Sequence, residues 1–453
     1  MSKIKILLLL TLATIIAYGA SLKYGFSQDD WFHLTISQAR NVGEFLNFFN
    51  PAGVSWIFFR PLSTQLPYWI ATSFFGLAIA PYFLHTLMLL IHVLNSYLVI
   101  KISRKYLHQH LPILLGFFYV ISNIHFLSLF YIGAIQELIS TFFSLLTIFL
   151  FLRARRTSQI TLAVLTVCAL LSKELALRLP LILLFLAYLR ERNLLRTLKA
   201  VSGPLLVTAA YLVLRLVIHT GGALEYSLVL SPATALATTM WYGLFALGFP
   251  EYLLRFGLSG GLIDFVGFTR DTGWISLPIF LSATIFGFAI LRQLFRRHST
   301  HSLPILGLLC LLPVIFLPTH RYPHYLDLSI LFFGIWLLKP LKKLNFIVII
   351  FSLFVAVGVL ASIAIEKKTH WTIKRAIIAG KVEQQLLSKP CQDLKNLIFL
   401  GPTPEPLEVS YAMSVEDGPR IICQNSVLRV YYTSDQVAVD QDTQIIKTGD
   451  LFP

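Results

Sequence analysis

The sequence predicts an α-helical polytopic membrane protein with about eleven transmembrane helices and a small C-terminal α/β or β domain. The 453 residues are 56% hydrophobic and only 13% charged, with a mean hydropathy of +0.73. In a typical soluble domain about a quarter of the residues are charged. Apolar runs close to the length of a bilayer crossing recur from one end of the chain to the other, which indicates a membrane protein and not one soluble core.

The apolar runs define the predicted crossings. The first run, which follows Lys3 and Lys5, is interpreted as an uncut helix and not as a cleaved signal peptide, because a multi-pass chain follows it. A further apolar stretch at 241–254, inside the uncertain region 221–274, is interpreted as interfacial or re-entrant. The predicted crossings are 4–20, 82–100, 111–126, 131–152, 160–171, 177–189, 205–218, 275–291, 303–317, 325–338 and 346–365.

The basic residues predict the orientation. The net charge is +15, but the Lys and Arg residues lie largely in short loops between apolar runs, so no nucleic-acid partner is expected. All these loops fall on one side if the N-terminus is on that side too. We therefore expect a multi-pass protein of a bacterial-type cell membrane, with its N-terminus cytoplasmic and its C-terminus extracytoplasmic. The basic loops are 101–105, 153–156, 190–199, 292–297 and 339–343.

Two domains are predicted. Residues 1–366 form a transmembrane catalytic domain with a long first outer loop at 21–80, and 367–453 form a small extracytoplasmic domain. Short strands are expected in the second domain at 395–400, 420–423 and 427–433. Cys391 and Cys423 both fall in this outer domain, where an oxidising compartment favours a disulfide. Cys168 and Cys310 lie in apolar helices and are expected to be inert.

Asp29 and Asp30 stand just beyond the first apolar segment. Carboxylates near lipid are costly and call for a reason, and a pair of them can supply a general base. Asp29 is the preferred base, whereas Asp30 has the alternative role of N-cap for a helix beginning at Trp31. The outer loop also carries Trp31, Trp56, Trp69 and several Phe residues among polar ones, a mixture that suits amphipathic helices at the lipid headgroups or a simple aromatic belt.

Four cations are predicted on the outer side, opposite to the positive-inside bias. Arg and Lys hold phosphate well, while the alternative is snorkelling to the interface or pairing with Glu174. Glu137 lies early in a helix and is a candidate for binding an acceptor or a divalent cation. His33 is one helical turn from Asp29, so a metal site is an open alternative to an ordinary hydrogen-bonding neighbour. The four cations are Arg60, Lys173, Arg178 and Arg321.

These residues together resemble the GT-C superfamily, in particular the protein O-mannosyltransferases and the tetratricopeptide-repeat mannosyltransferases. The resemblance extends over most of the membrane region. One departure is that 122–126 lacks the His-Pro pair and the acidic residue frequent in relatives, and another is that no tetratricopeptide repeats follow. The matching pieces are Asp29-Asp30, Phe59-Arg60-Pro61-Leu62, Leu84-His85 to His92-Val93-Leu94-Asn95, Ser172-Lys173-Glu174 with Pro180, and Arg321-Tyr322.

The resemblance implies a membrane glycosyltransferase that moves a monosaccharide from a polyprenyl-phosphate donor, with inversion, on the extracytoplasmic face. Asp29 and Asp30 would be catalytic, and the acceptor stays open (protein, lipid or glycan). The lipid-linked sugar is the donor substrate. No cofactor is specified, and a divalent metal is left as an open alternative. The rival functions are a transporter or flippase for a lipid-linked glycan and a non-catalytic membrane subunit. The expected substrate-binding residues are Arg60, Glu137, Lys173, Glu174, Arg178, Arg321 and Tyr322.

Overall fold

The structure is a computed structural model that describes residues 2–52, 59–153, 158–217, 227–258, 262–295, 302–312, 314–341, 343–434 and 442–452. Trp56 therefore lies outside the described residues. The same holds for parts of the predicted basic loops at 153–156, 292–297 and 339–343, and for parts of the region 221–274.

The chain is mostly helical. The first helices are α1 (Lys3–Tyr18), α2 (Asp29–Ile36), α3 (Val42–Asn47), α4 (Gln65–Ser103), α5 (Leu111–Ile121), α6 (Phe126–Phe130), α7 (Ile135–Arg153), α8 (Gln159–Leu170), α9 (Arg178–Glu191) and α10 (Leu194–Ala200). The later helices are α11 (Ser202–Val217), α12 (Pro232–Ala246), α13 (Phe265–Thr272), α14 (Ser276–Leu294), α15 (Ser302–Leu309), α16 (Ser329–Leu338), α17 (Phe346–Thr369), α18 (Trp371–Leu387), α19 (Glu405–Ala412) and α20 (Asp417–Ile422).

Several helical segments are long and apolar enough to cross a membrane, which is consistent with a membrane protein. Among the described residues there are five: Lys3–Lys23, Gln65–Ser103, Ile132–Arg153, Phe265–Leu294 and Phe346–Thr369. The number rises to seven if each of two bent pairs forms one span. These pairs are Leu111–Ile121 with Asn123–Phe130, bent by 42°, and Leu194–Ala200 with Ser202–Val217, bent by 71°.

The predicted count of about eleven crossings is not confirmed. The predicted crossing 160–171 corresponds to α8, which has 12 residues, and 325–338 corresponds to α16, which has 10. At about 1.5 Å per residue these helices are shorter than a hydrocarbon core of about 30 Å. In the described part of the predicted crossing 303–317, the helix is the 8-residue α15.

Helix α4 begins at Gln65, inside the predicted first outer loop at 21–80. Within its 39 residues, Gly76 adopts a φ of 72°, a left-handed conformation that interrupts the helix, and Pro81 follows. The predicted crossing 82–100 is the part of α4 beyond this kink. The stretch 241–254 is also divided, since α12 ends at Ala246 and a separate 3-10 turn spans Glu251–Phe256.

The C-terminal unit, α18 to the end of the chain, contains a three-stranded parallel sheet. Its strands are β1 (Asn396–Leu400), β2 (Arg429–Thr433) and β3 (Thr443–Lys447), in the order β2-β1-β3. The predicted strands at 395–400 and 427–433 are confirmed, and β3 was not predicted. The prediction of a strand at 420–423 was wrong, because these residues fall in α20 and the turn that ends it. Parallel neighbours need a crossover connection, and α19 and α20 supply it between β1 and β2.

The C-terminal unit shares one hydrophobic core with the membrane helices. A single cluster joins Leu10 of α1, Leu84 of α4 and Val359 of α17 to Ala379 of α18 and Phe399 of β1. The predicted disulfide is confirmed, with Cys391 and Cys423 bridged at a Cα–Cα distance of 5.2 Å. The core therefore fixes the C-terminal unit beside the first outer loop, where Asp29 lies.

Candidate functional site

The C-terminal unit holds the start of helix α2. Gln28 precedes the helix with φ 57° and ψ −131°, a conformation that L-residues rarely adopt. Its backbone N–H donates to the Ala412 carbonyl at 2.7 Å, and the Trp31 indole donates to the same carbonyl at 3.2 Å. These two bonds to the end of α19 hold the strained residue immediately before Asp29 in place.

Asp29 is the exposed member of the acidic pair. Its backbone N–H donates to the hydroxyl oxygen of Tyr131 at 3.1 Å. This bond joins the first turn of α2 to the chain just before α7. The carboxylate itself remains accessible at the N-terminus of the helix, where an anion is stabilised by the backbone N–H groups.

Asp30 is completely buried. Its carboxyl accepts from the Tyr68 hydroxyl at 2.6 Å and from the Ser27 backbone N–H at 2.8 Å. Burial raises the pKa of Asp30 to about 8, although the bonds from Tyr68 and Ser27 act in the opposite direction. The alternative role as N-cap was wrong, because α2 begins at Asp29 and the Asp30 side chain turns back to the preceding loop.

Two tryptophans of this loop, Trp31 and Trp69, lie within the described residues. Trp31 is completely buried beneath the C-terminal unit, and a Cβ added to Gly418 of α20 would lie only 3.1 Å from its ring. A glycine at that position allows this close approach. Trp69 is half-buried and donates its indole N–H to the Ala39 carbonyl at 3.1 Å. Sequence patterns did not indicate that the C-terminal unit covers Trp31.

A buried ion pair lies at the start of α7. The Lys173 ammonium is 3.0 Å from Glu137 Oε1, and the Nε2 atom of His324 is 3.5 Å from the same oxygen. All three side chains are almost fully buried. The partner of Lys173 is therefore Glu137 and not its chain neighbour Glu174.

Arg60 forms a second ion pair beside the first. Its guanidinium binds Glu174 through Nε at 3.0 Å and Nη2 at 2.6 Å, and Nη1 donates to Gln136 Oε1 at 2.5 Å. Such a two-pronged contact is among the stronger ion pairs in proteins. Burial alone would raise the pKa of Glu174, but Arg60 and Lys173 lower it to about 2. Gln136 and Glu137 are consecutive, so the two ion pairs adjoin.

His33 links α2 to these cations. Burial lowers the pKa of its imidazole to about 3, and the nearby charges of Arg60 and Lys173 act in the same direction. The ring is therefore neutral near pH 7, and it packs edge-on against Tyr68 at 5.4 Å. Within the described ranges, no three His, Cys, Asp or Glu side chains are close enough to hold a metal ion.

Tyr322 joins the Asp29 neighbourhood to the ion pairs. Its ring stacks on His324 at a centroid distance of 5.5 Å and packs in the same small hydrophobic cluster as Tyr131. His320 also lies here, and its pKa is lowered to about 4 by burial and by Lys173 and His324. A continuous set of contacts therefore leads from Asp29 to Lys173.

Arg178 has a different setting. Its Nη2 atom lies 2.5 Å from Asp327 Oδ1, and Nη1 donates to the carbonyls of Cys310 at 3.2 Å and Tyr325 at 3.0 Å. The side chain is only 3% exposed. These bonds tie the start of α9 to the segment before α16. The charge of the Arg178 guanidinium is therefore already offset by the Asp327 carboxylate.

Arg321 is half-buried beside a large apolar cavity. It interacts electrostatically with the Tyr242 hydroxyl, and Tyr242 lines the cavity, which has a volume of about 390 Å³. The walls come from α5, α12 and α14 to α17 and are almost entirely apolar. The hydroxyls of Tyr119 and Tyr242 also line it, and neither has a hydrogen-bond partner in the part of the chain described.

The predicted site residues converge only in part. Asp29, Asp30, Arg60, Glu137, Lys173, Glu174 and Tyr322 form one neighbourhood. Sequence reasoning missed Tyr131, Gln136 and Trp371. The spacing of His320 and His324 around Arg321 was a usable signal for the two histidines, whereas nothing in the sequence distinguished Tyr131 from other aromatic residues of apolar segments.

No protein-family model and no curated protein matches the chain. The assignment of a function therefore depends on the geometry described above.

Proposed function

We propose that the chain is a membrane glycosyltransferase, resembling the GT-C superfamily, that transfers a monosaccharide from a polyprenyl-phosphate donor to an acceptor hydroxyl. The observation that carries the proposal is the exposed carboxylate of Asp29. It lies at a helix start held by the protein and is connected through Tyr131 and Tyr322 to the buried cations. A base and cations in one neighbourhood are what this transfer needs.

In the proposed reaction, Asp29 accepts the proton of the acceptor hydroxyl while that oxygen bonds to the anomeric carbon. The bond from this carbon to the phosphate oxygen breaks, and polyprenyl phosphate leaves with the electron pair. Attack from the face opposite the leaving group inverts the anomeric centre. Asp30 is a positioning residue, because its buried carboxyl accepts hydrogen bonds from Tyr68 and Ser27 and so holds α2 in place.

Arg321 is the best candidate for holding the donor phosphate. Lys173 and Arg60 each have a carboxylate partner at 3.0 Å or less, which offsets their charge. Within the described residues no carboxylate forms an ion pair with Arg321, and its Nε has no hydrogen-bond partner there. A guanidinium in this setting offers a planar fork of donors to a phosphate.

The apolar cavity suits the lipid part of the donor. Its volume of about 390 Å³ and its walls of Leu, Phe and Val side chains match a branched hydrocarbon chain. Tyr242 belongs both to this cavity and to the surroundings of Arg321, so a phosphate on Arg321 would be close to a tail in the cavity. We further propose that this site and the C-terminal unit are extracytoplasmic and that the N-terminus is cytoplasmic.

The test uses the purified full-length protein with radiolabelled polyprenyl-phosphate sugars. We expect release of labelled sugar from the lipid and a loss of about 100- to 10,000-fold in turnover for Asp29→Asn, with donor binding retained. Arg321→Ala should weaken donor binding instead. Glu44→Gln and Arg40→Ala are matched controls, because both residues are exposed in the same loop, and both should behave like wild type. Near-normal turnover of Asp29→Asn would refute the assignment of the base.

The rival function is transport or flipping of a lipid-linked glycan. The two bent helix pairs favour it, since broken helices are frequent in transporters. The same reconstituted protein separates the two functions. Movement of the intact lipid-linked sugar across vesicles without release of sugar would support the rival and exclude transfer.

A further inference from the structure

A second surface adjoins Asp29 and takes no part in the ion pairs of Lys173 and Arg60. It consists of Trp371 and Arg375 on α18, Tyr411 on α19, and Gln28, and we call it the Arg375 surface. The Arg375 guanidinium lies between two rings, 5.2 Å from the Trp371 centroid and 4.6 Å from the Tyr411 centroid. It also donates to Gln28 Oε1 at 3.1 Å. Two aromatic faces and a planar cation are thus stacked immediately before Asp29.

This surface is held toward Asp29 from two directions. Gln28 is the chain neighbour of Asp29, and the Trp371 ring lies 6.2 Å from the ring of Tyr131, whose hydroxyl accepts the Asp29 N–H. The Trp371 indole N–H donates to Glu251 at 3.3 Å, which fixes its orientation. An acceptor bound on the Arg375 surface would therefore reach the Asp29 carboxylate.

Part of the surface is open to a ligand. The Tyr411 side chain is 47% exposed, and Arg375 and Trp371 are half-buried. The side-chain nitrogen of Gln28 is buried and has no hydrogen-bond partner among the described residues. A buried donor without a partner costs free energy, and an oxygen atom of a bound ligand would satisfy it.

The charge balance determines which ligand suits the surface. Arg375 Nε lies 3.2 Å from Glu408, so the cation is already paired and an anionic ligand gains little. The remaining features are ring faces, which carry negative charge density, and hydrogen-bonding groups beside them. The C–H face of a pyranose carries partial positive charge and its hydroxyls both donate and accept. A neutral sugar fits this surface better than a phosphate does.

We propose that the Arg375 surface binds a sugar ring of the acceptor, so that the enzyme extends a saccharide. This inference rests on the proposed function, because it assigns the acceptor class of the same site. Tyr411 and Trp371 stack on the sugar, and Arg375 with Gln28 bonds its hydroxyls. The reactive hydroxyl then points to Asp29.

The experiment measures binding in the absence of donor. Full-length protein in detergent is titrated with neutral di- and trisaccharides of mannose, glucose, galactose and N-acetylglucosamine, and with Ser/Thr-containing peptides, by saturation-transfer NMR. We expect at least one saccharide to bind. Tyr411→Ala should weaken that binding by about three- to tenfold, the typical effect of one aromatic contact.

Tyr431→Ala is the matched control, since Tyr431 is another exposed tyrosine of the C-terminal unit, 44% exposed on β2. It should bind as wild type does, and Arg375→Gln should bind more weakly. No saccharide binding, an equal loss for both tyrosine variants, or Tyr411-dependent binding of peptides alone would overturn the inference. Donor cleavage is measured separately, so failure of this test is distinguishable from failure of the proposed transferase activity.

Discussion

The Lys173 ammonium lies 3.0 Å from Glu137 Oε1 inside the protein, with both side chains less than 10% exposed. This pair joins the turn before α9 to the first turn of α7, and the neighbouring pair of Arg60 and Glu174 joins the same turn to the outer loop. Two charges removed from water need each other, because the desolvation cost of each is repaid only by its partner.

Glu137→Gln should therefore destabilise the protein strongly. The change leaves the Lys173 charge buried without its carboxylate, a loss that typically costs about 3 to 5 kcal/mol. Thermal unfolding in detergent measures it. The double variant Glu137→Leu with Lys173→Met removes both charges and should recover most of the stability but no activity. Equal stability of Glu137→Gln and wild type would contradict the pairing.

The raised pKa of Asp30 predicts that the stability of the folded protein depends on pH. Its pKa is about 8 in the folded protein and near 3.8 when unfolded, so the folded state binds the extra proton. The stabilisation that this proton gives the folded state is complete below about pH 4 and is lost as the pH rises through 8. The free energy of unfolding then falls by up to about 1.4 kcal/mol per pH unit. Melting temperatures between pH 7 and 9 should therefore fall.

Asp30→Asn should reduce this slope by the share that Asp30 contributes, because the amide is the neutral isostere of the protonated carboxyl. Its NH₂ group can donate to Tyr68 while its oxygen accepts from Ser27. Asp29→Asn is the control and should keep the slope, since Asp29 is exposed. His33 does not interfere, because its lowered pKa affects stability only below about pH 6.5. The same slope in Asp30→Asn and wild type would exclude Asp30 as its source.

Much of the site could be predicted because membrane proteins rarely place charges without a reason. On this ground alone the sequence indicated Asp29, Arg60, Glu137 and Lys173, and the structure brings them into one neighbourhood. Arg178 stood out equally, yet its partner is the buried Asp327. A charge in an apolar sequence signals a buried partner as well as a ligand, and one sequence does not distinguish the two.

The contacts of the C-terminal unit could not be predicted. Trp31 and Gln28 both donate to the Ala412 carbonyl, which is very far from them in the sequence. A hydrogen bond to a backbone carbonyl leaves no pattern in side-chain type. The number of crossings is not confirmed for a related reason. In the described part of the apolar run 303–317, α15 ends at Leu309, and apolar composition alone does not indicate such an end.

The last prediction concerns the disulfide that ties the end of α20, a helix that contacts α2, to the loop after α18. Cys423 directly follows α20, and Cys391 lies in the loop between α18 and β1. α20 contacts α2 through a hydrogen bond of 3.2 Å from the Thr35 hydroxyl to Asp417. A bridge closing a loop of 32 residues typically stabilises by about 3 to 4 kcal/mol.

The variant carrying both Cys391→Ser and Cys423→Ser should lose about this much stability. Its turnover should fall further than its folded fraction, because α20 is then no longer tied to the loop after α18 and supports α2 and Asp29 less firmly. Cys168→Ser is the matched control, since Cys168 has a free thiol, and it should change neither quantity. Thiol labelling under denaturing, non-reducing conditions should detect only Cys168 and Cys310 in the wild type. Labelling of all four cysteines would show that no bridge forms, and unchanged turnover per folded molecule would show that α20 does not position Asp29.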